Sequence, residues 1–523
     1  MEDDAFHSEE LRCSCNGDGT HYRKDRNSMI EIILSDKAYE NDVYPLVKAF
    51  YPSETIKIYE QGEAKVLQSR IASDCDTMLT LLMELEKDKI ELSVTLRGES
   101  TVRHTLTLTE QLSKPQYKNA MKRFLYSCIS GLTGRELPWG ILTGIRPTKL
   151  VYDLIEQGEY EEVIYQHMKK EYLCSEEKIA MSLEIANREL KLLRDMDYQD
   201  GYSLYIGIPF CPSTCLYCSF TSYSVEKYSI YVDQYLQALE KEIRFAATCF
   251  PGRKLTTVYL GGGTPTTLTA EQLNSLLSLV RELFDFTQVK EFCVEAGRPD
   301  SITREKLEVL KKQGVDRISI NPQSMQQRTL DLIGRKHTVT QVKEAFRLAR
   351  ETGHDNVNMD LILGLPGENI SDVRDTLCQI KDLQPDSLTV HTLAVKRAAR
   401  LNQEKESYAK LQATDVSVML SETIRFAQEN AYLPYYLYRQ KNMADNLENI
   451  GYAKFGKEGL YNILIMEEKQ TILALGAGGM SKFVFHQENR IERVDNVKSV
   501  TDYINRIDEM IERKRHFLTN NSV

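Results

Sequence analysis

From Gly201 onward, short apolar and β-branched runs alternate with amphipathic stretches of helical period, and this alternation leaves few folds open to the chain. The strand candidates are Ser203 to Ile208, Thr256 to Leu260, Glu291 to Glu295, Asp316 to Ile320, Val357 to Leu363 and Ser387 to His391. Between them run apolar stripes such as Tyr228, Tyr231, Tyr235, Leu239, Ile243 and then Leu273, Leu276, Leu277, Val280, Phe284, with four further helices around Leu307, Phe346, Leu377 and Leu420. Parallel strands need a crossover between neighbours, and a helix supplies it. Six such units predict an α/β fold with a parallel barrel or open barrel, too few strands to close an eight-stranded one.

Parallel α/β barrels build their sites at the C-terminal ends of the strands. The unusual residues of this chain fall there. A loop with Cys211, Cys215 and Cys218 follows the first strand, and Gly261-Gly262-Gly263-Thr264-Pro265-Thr266 follows the second. Glu295 ends the third, Gln323 follows the fourth, Asp360 lies in the fifth and His391 closes the sixth. Glycines let the backbone approach a ligand and offer amide donors, although a tight strand-to-helix turn uses them equally well. Glu295, Gln323 and Asp360 taken singly also suit polar groups bonded to nearby backbone, and Met325 and Met359 read as packing.

Thiolates are soft donors that hold iron-sulfur clusters. Three of them, spaced Cys-x3-Cys-x2-Cys from Cys211, leave one corner of a cubane cluster without a protein ligand. That points to a catalytic cluster instead of an electron store. A zinc knuckle needs a fourth Cys or His at close spacing, and a Cys-x-x-Cys redox pair leaves Cys211 idle. Pro209 and Pro212 flank the first thiol and favour an open loop over a packed helix.

At 523 residues, two or three domains are expected. A leader over 1–28, with Cys13 and Cys15, lacks a hydrophobic period; 29–200 reads as an α+β accessory domain, 201–430 as the barrel and 431–523 as a small C-terminal domain. The tyrosines of that last segment (Tyr435, Tyr436, Tyr438, Tyr452, Tyr461) either close the barrel mouth or pack a small domain. Arg146 and Lys149, in the Gly/Pro-punctuated stretch from Leu137 to Lys149, are either solvent-facing charges or an anion contact. A net charge of -10 argues against a nucleic-acid binder, and no apolar run is long enough to cross a bilayer. Eleven scattered cysteines indicate a reducing compartment, hence a cytoplasmic protein; Cys249 and Cys293 read as small buried hydrophobes.

With the triplet, the barrel spacing and the glycines assembled, the chain resembles radical S-adenosylmethionine (SAM) enzymes, and within them the oxygen-independent coproporphyrinogen III dehydrogenase group. The resemblance covers residues 200 to about 510, and Leu137 to Lys149 is similar to one variant branch of that group. It implies a partial (β/α)6 TIM-like barrel in which Cys211, Cys215 and Cys218 hold a 4Fe-4S cluster whose open iron chelates SAM. Tyr205, Gly262, Gly263, Thr264 and Glu295 would contact that cofactor, with Tyr205 the catalytic residue; a second SAM would fall to Tyr217, Gln323, Arg335 and Asp360. The implied reaction is oxidative decarboxylation of two propionates of a tetrapyrrole. An electron donor such as flavodoxin or ferredoxin would drive it, without nucleic acid or membrane. Arg298, Arg335 and Lys396-Arg397 are candidates to meet the substrate carboxylates.

Two departures from the pattern stand out. Gly207 occupies a position where the group carries histidine, and Cys218-Ser219-Phe220 replaces a Cys-x-Cys ending. The second is similar to a haem-chaperone branch of the superfamily. That branch's His-Asn-x-x-Tyr-Trp element has no counterpart in Arg439-Gln440-Lys441-Asn442-Met443.

Overall fold

The computed structural model describes residues 29–52, 54–62, 77–144, 146–220, 222–394, 399–403, 415–439 and 447–521. The leader over 1–28, Lys396-Arg397 and Gln440 to Met443 lie outside the described residues. The chain forms two compact units, one of Met1–Thr143 with His167–Glu176, the other of Gly144–Gln166 with Glu177–Val523.

The first unit is a mixed sheet of five strands, β1 (Met29–Leu34), β2 (Thr55–Glu60), β3 (Thr77–Leu85), β4 (Lys89–Leu96) and β5 (Val102–Thr107), in the order β2-β1-β3-β4-β5. The helices Glu40–Phe50 and Lys114–Thr133 supply Val43, Leu46, Met121 and Leu125 to a core with Ile30, Leu79, Leu81 and Ile90. Sequence reasoning passed over β3. Its run Thr-Met-Leu-Thr-Leu-Leu-Met-Glu-Leu is rich in helix formers, and only the burial of Leu79, Leu81 and Met83 at every second position reveals the strand.

In the second unit the six expected strands form in parallel: β6 (Gly201–Ile208), β9 (Lys254–Gly262), β10 (Glu291–Gly297), β11 (Arg317–Ile320), β12 (Val357–Leu363) and β13 (Ser387–Thr392). A two-residue pairing of β7 (Phe210–Cys211) with β8 (Tyr223–Ser224) sits at the cysteine loop. Helices Val232–Ala246, Ala270–Leu283, Arg304–Lys312, Val339–Glu351 and Ile370–Leu383 are the crossovers; Thr269 and Thr338 start two of them as capping boxes with Gln272 and Gln341. The stripe from Leu273 to Phe284 is buried as expected.

The domain boundaries expected at 200 and 431 are replaced by a different division. The helices Thr148–Glu156 and Glu176–Arg194 belong with the barrel, apart from Glu176 itself. Arg146 bonds the Met466 carbonyl at 2.9 Å and pairs with Glu468 at 2.7 Å, and the buried Lys178 pairs with Glu448 at 2.6 Å. Arg146 is thus an internal tie and not an anion contact. Nor is the C-terminal segment a separate body: β14 (Leu433–Tyr438) and β15 (Asn449–Ala453) extend the sheet antiparallel beyond β13. On the far edge, β16 (Thr471–Leu475) adds a parallel strand beside β6, followed by the antiparallel β17 (Met480–Phe485) and β18 (Arg490–Asp495). The order is β14-β15-β13-β12-β11-β10-β9-β6-β16-β17-β18.

A buried charge fixes that far edge. Glu242, fully buried, accepts from Lys514 Nζ at 2.7 Å, the Tyr503 hydroxyl at 2.5 Å, Asn496 Nδ2 at 2.8 Å and the Gly476 amide at 2.8 Å. Every lone pair of a desolvated carboxylate is expected to find such a partner. Gly476 has φ +91°, and a Cβ there would lie 2.5 Å from the Gly207 carbonyl oxygen. The turn between β16 and β17 therefore presses directly on β6 beside the cysteine loop.

Candidate functional site at the C-terminal edge of the barrel

The loop with the three cysteines is pinned on several sides. The amides of Gly263 and Thr264 donate to the carbonyls of Ile208 and Phe210, each at 2.7 Å, and the Leu216 amide donates to Ile333 at 2.9 Å. A Cβ on Gly263 would stand 2.6 Å from the Phe210 oxygen, so the glycine is required for this approach. The Gly263 and Thr264 amides are thus engaged in holding the loop. Arg298 donates from Nη1 to the Ser213 carbonyl at 3.0 Å and its hydroxyl at 2.6 Å, and pairs with Asp300 at 2.7 Å. Its guanidinium is 2% exposed and committed to the loop, which removes it from the candidates for a substrate carboxylate.

Cys215 is buried, and Cys211 and Cys218 are half-buried. Burial pushes the Cys211 thiol up to about 11 despite the hydrogen bond from Thr264 Oγ1 at 3.5 Å, and the charges of Cys215 and Cys218 push the same way. Three sulfurs that repel one another as anions fit a cationic cluster core, which favours thiolate over thiol. Among the described residues no three His, Cys, Asp or Glu side chains converge on a point suited to a single metal ion. A cubane asks for thiolates set further apart, one per corner, so the donor set fits the cluster and not zinc.

In β6, β10, β12 and β13 one residue alone is half-buried among buried neighbours: Tyr205, Glu295, Asp360 and His391. In β9 the corresponding residue is Tyr259, between the exposed ends of the strand and in register with Tyr205. The rings of Tyr205, Tyr259 and Tyr461 stack with centroids 4.4 to 6.3 Å apart. Tyr461 arrives on the helix Leu460–Glu467, whose first amides, Leu460 at 2.8 Å and Tyr461 at 3.0 Å, donate to the buried Glu291 carboxylate.

The Tyr259 hydroxyl donates to Glu295. Burial, reinforced by the charge of Asp360, raises the Glu295 carboxyl to about 7 against the pull of that bond and of His391. Asp360 is desolvated too, yet its interactions with His391 first, and then with Asn358 and Thr389, outweigh that and hold it below the usual range. Asn358 Nδ2 lies 2.7 Å from Asp360 Oδ1. His391 Nε2 stands 3.8 Å from Asp360 Oδ2, and its Nδ1 lies 3.2 Å from the Tyr438 hydroxyl.

Gln323 sits in the left-handed region at φ +70°, fixed by its amide to the Asp360 carbonyl and by its carbonyl to the Ile362 amide, each at 2.9 Å. The cost of that conformation is offset by the ladder on both sides. Arg335 is buried and bonds the Asn321 and Pro322 carbonyls. Although desolvation opposes it, the charges of Tyr217 and Cys215 hold the guanidinium's pKa above its ordinary value. Asn321 Oδ1, Gln323 Oε1 and Arg335 Nε are buried without a hydrogen-bond partner, as expected of groups that await a polar ligand.

Tyr259 was not among the expected residues, whereas Tyr461 and Tyr438 were named only as tyrosines that close the barrel mouth or pack a small domain. Tyr259 was accessible to reasoning, because it shares the face of Tyr205 on the next strand. Tyr461 and Tyr438 come from segments that join the sheet far later in sequence, and no local signal places them.

A parallel barrel with a three-thiol loop above its interior defines a radical SAM protein, and residues 205–379 match the profile described as the Radical SAM superfamily. Oxygen-independent coproporphyrinogen-III oxidase-like protein HemZ of Bacillus subtilis (strain 168) is 40% identical over 452 residues, 85% of this chain and 90% of that protein. Heme chaperone HemW of the same organism is 32% identical over 311 residues, 59% of this chain and 76% of its own length. Among solved structures, coproporphyrinogen III oxidase (HemN) from Escherichia coli aligns at 25% identity and a TM-score of 0.49, over 61% of this chain and 72% of that one. The chain belongs to the radical SAM superfamily and, within it, to the oxygen-independent coproporphyrinogen-III oxidase-like family that includes HemZ. It is a radical SAM oxidoreductase whose cofactors are a 4Fe-4S cluster and SAM. No helix among the described residues is long and apolar enough to cross a membrane.

Proposed function

We infer that the protein carries out the oxidative decarboxylation of two propionate side chains of coproporphyrinogen III to vinyl groups, giving protoporphyrinogen IX in the cytoplasm. The observation that carries this reading is the set of half-buried residues, one from each of β6, β9, β10, β12 and β13, on the sheet whose strand β6 leads into the cysteine loop. Held by Cys211, Cys215 and Cys218, the cluster together with SAM would supply radical hydrogen abstraction at the propionate β-carbon, and loss of carbon dioxide would pass one electron to an external one-electron acceptor. The chain's own task is to place that carbon and exclude water.

Tyr205, Tyr259 and Tyr461 form a flat aromatic wall suited to a tetrapyrrole ring. Glu295, with its carboxyl raised to about 7, adds less negative charge to the interior than an ordinary glutamate, which suits an anionic substrate. The unpartnered Gln323 Oε1 and Arg335 Nε, beside Tyr217 and Asp360, support a second SAM at that end of the interior. The reducing electron comes from a one-electron carrier such as flavodoxin or ferredoxin.

A haem-carrying role is the second reading, favoured by the identity with HemW and by the Cys218-Ser219-Phe220 ending. Anaerobic incubation of the reconstituted protein with reductant, SAM and coproporphyrinogen III separates the two. Protoporphyrinogen IX and 5′-deoxyadenosine are the expected products. Stoichiometric haem binding with no vinyl product sinks the dehydrogenase reading.

A further inference from the structure

His391 is the basic member of the interior layer otherwise made of Tyr205, Tyr259, Glu295 and Asp360. A substrate with propionate arms meets two acids there and needs a partner of opposite character. Two of the expected partners are engaged: Arg298 holds Ser213 and Asp300, and Arg335 holds the Asn321 and Pro322 carbonyls, while Lys396-Arg397 lie outside the described residues. We propose that His391 is the specificity-determining residue that receives a carboxylate of the substrate, held for that purpose between Tyr438 and Asp360. The proposal rests on the tetrapyrrole reading above and names the group that recognises its anionic arm.

The geometry supports the assignment in three ways. The imidazole is 26% exposed, so a ligand in the interior reaches it. Its Nδ1 is occupied by the Tyr438 hydroxyl at 3.2 Å, and Tyr438 is itself steadied by a stacked Tyr436 ring at 6.2 Å. The other ring nitrogen, Nε2, faces Asp360 Oδ2 at 3.8 Å, too long for a hydrogen bond, and is open to an added group. The charged groups facing the ring are Asp360 on β12 and Glu295 beyond it on β10; the Glu295 carboxyl, raised to about 7 by burial, carries less of the charge that would repel a third carboxylate.

The test is equilibrium binding to the anaerobically reconstituted full chain, read by fluorescence of coproporphyrin III, a stable tetracarboxylate, and of its tetramethyl ester. In H391F the tetracarboxylate should bind on the order of ten- to a hundredfold more weakly, the loss of a charge-assisted hydrogen bond. The ester's affinity should match the wild type's, H391Q should recover part of the loss through its amide donor, and SAM affinity and thermal midpoint should stay unchanged. Equal tetracarboxylate binding by wild type and H391F overturns the proposal while leaving the tetrapyrrole reading intact, as does a loss equal for acid and ester. A fall in SAM affinity in H391F with porphyrin binding preserved also overturns it, because His391 would then act only by holding Asp360. Failure of the wild type to bind either porphyrin overturns the tetrapyrrole reading itself and this proposal with it.

Discussion

Glu295 shows how one side chain can be tuned by its setting. Burial raises its carboxyl from the ordinary glutamate value to about 7, so the folded protein binds a proton there that the unfolded chain releases near 4.5. Stability from this group is therefore full below about 4.5 and is lost as pH rises through about 7. Asp316 and Glu368, raised to the same range by burial, add their own decline, so the informative quantity is the difference between proteins. Replacement Glu295→Gln should leave a thermal midpoint that falls less between pH 5 and pH 8 than the wild type's, measured by differential scanning fluorimetry at pH steps. Parallel curves for the two proteins would count against a raised carboxyl at this position.

At the scale of elements, the joint between β9 and the cysteine loop is the most tightly specified. A methyl group on Gly263 has the Phe210 oxygen at 2.6 Å and the Ile208 oxygen at 2.8 Å, and both are backbone atoms that cannot swing aside. Gly263→Ala should cost about 1–3 kcal/mol through overpacking and displace the loop, giving substoichiometric iron and sulfide per chain after reconstitution. Full cluster content in that variant would show that the loop is held by other contacts.

The same elements explain what could be read beforehand. The six parallel strands were legible because each is a short β-branched run bounded by helical periods, and the chemistry at their ends was visible as residue type alone. Gly262, Gly263 and Thr264 were found as a motif, but their role as clamps on Ile208 and Phe210 depends on register between β6 and β9. Arg298 likewise looked like a free cation. Its bond to Ser213, far earlier in sequence, is a tertiary fact with no local trace. That strands β14 to β18 join the large sheet was not legible, because they carry ordinary strand patterns and pattern does not say which sheet a strand joins.

For the whole molecule, the ion pair of Glu242 with Lys514 links the first crossover helix to the C-terminal helix Ile507–Asn520, with both side chains fully buried. Removing one partner leaves an uncompensated charge in the interior, at about 3–5 kcal/mol. Lys514→Met should therefore lower the thermal midpoint by many degrees, whereas Glu242→Gln combined with Lys514→Met should recover much of the loss. A single variant as stable as the wild type would mean that Asn496, Tyr503 and the Gly476 amide satisfy Glu242 by themselves.

The placement of β16 beside β6 also sets a timetable for biogenesis. While the ribosome is still adding the segments before Thr471, the strand that leads into the thiol loop has a neighbour on one flank only, and its other row of amides and carbonyls stays open to any passing strand. Assembly of the metal centre on a growing polypeptide would thus occur on a half-built scaffold prone to mispairing. The second flank of β6 closes only once the segment from Thr471 has been made.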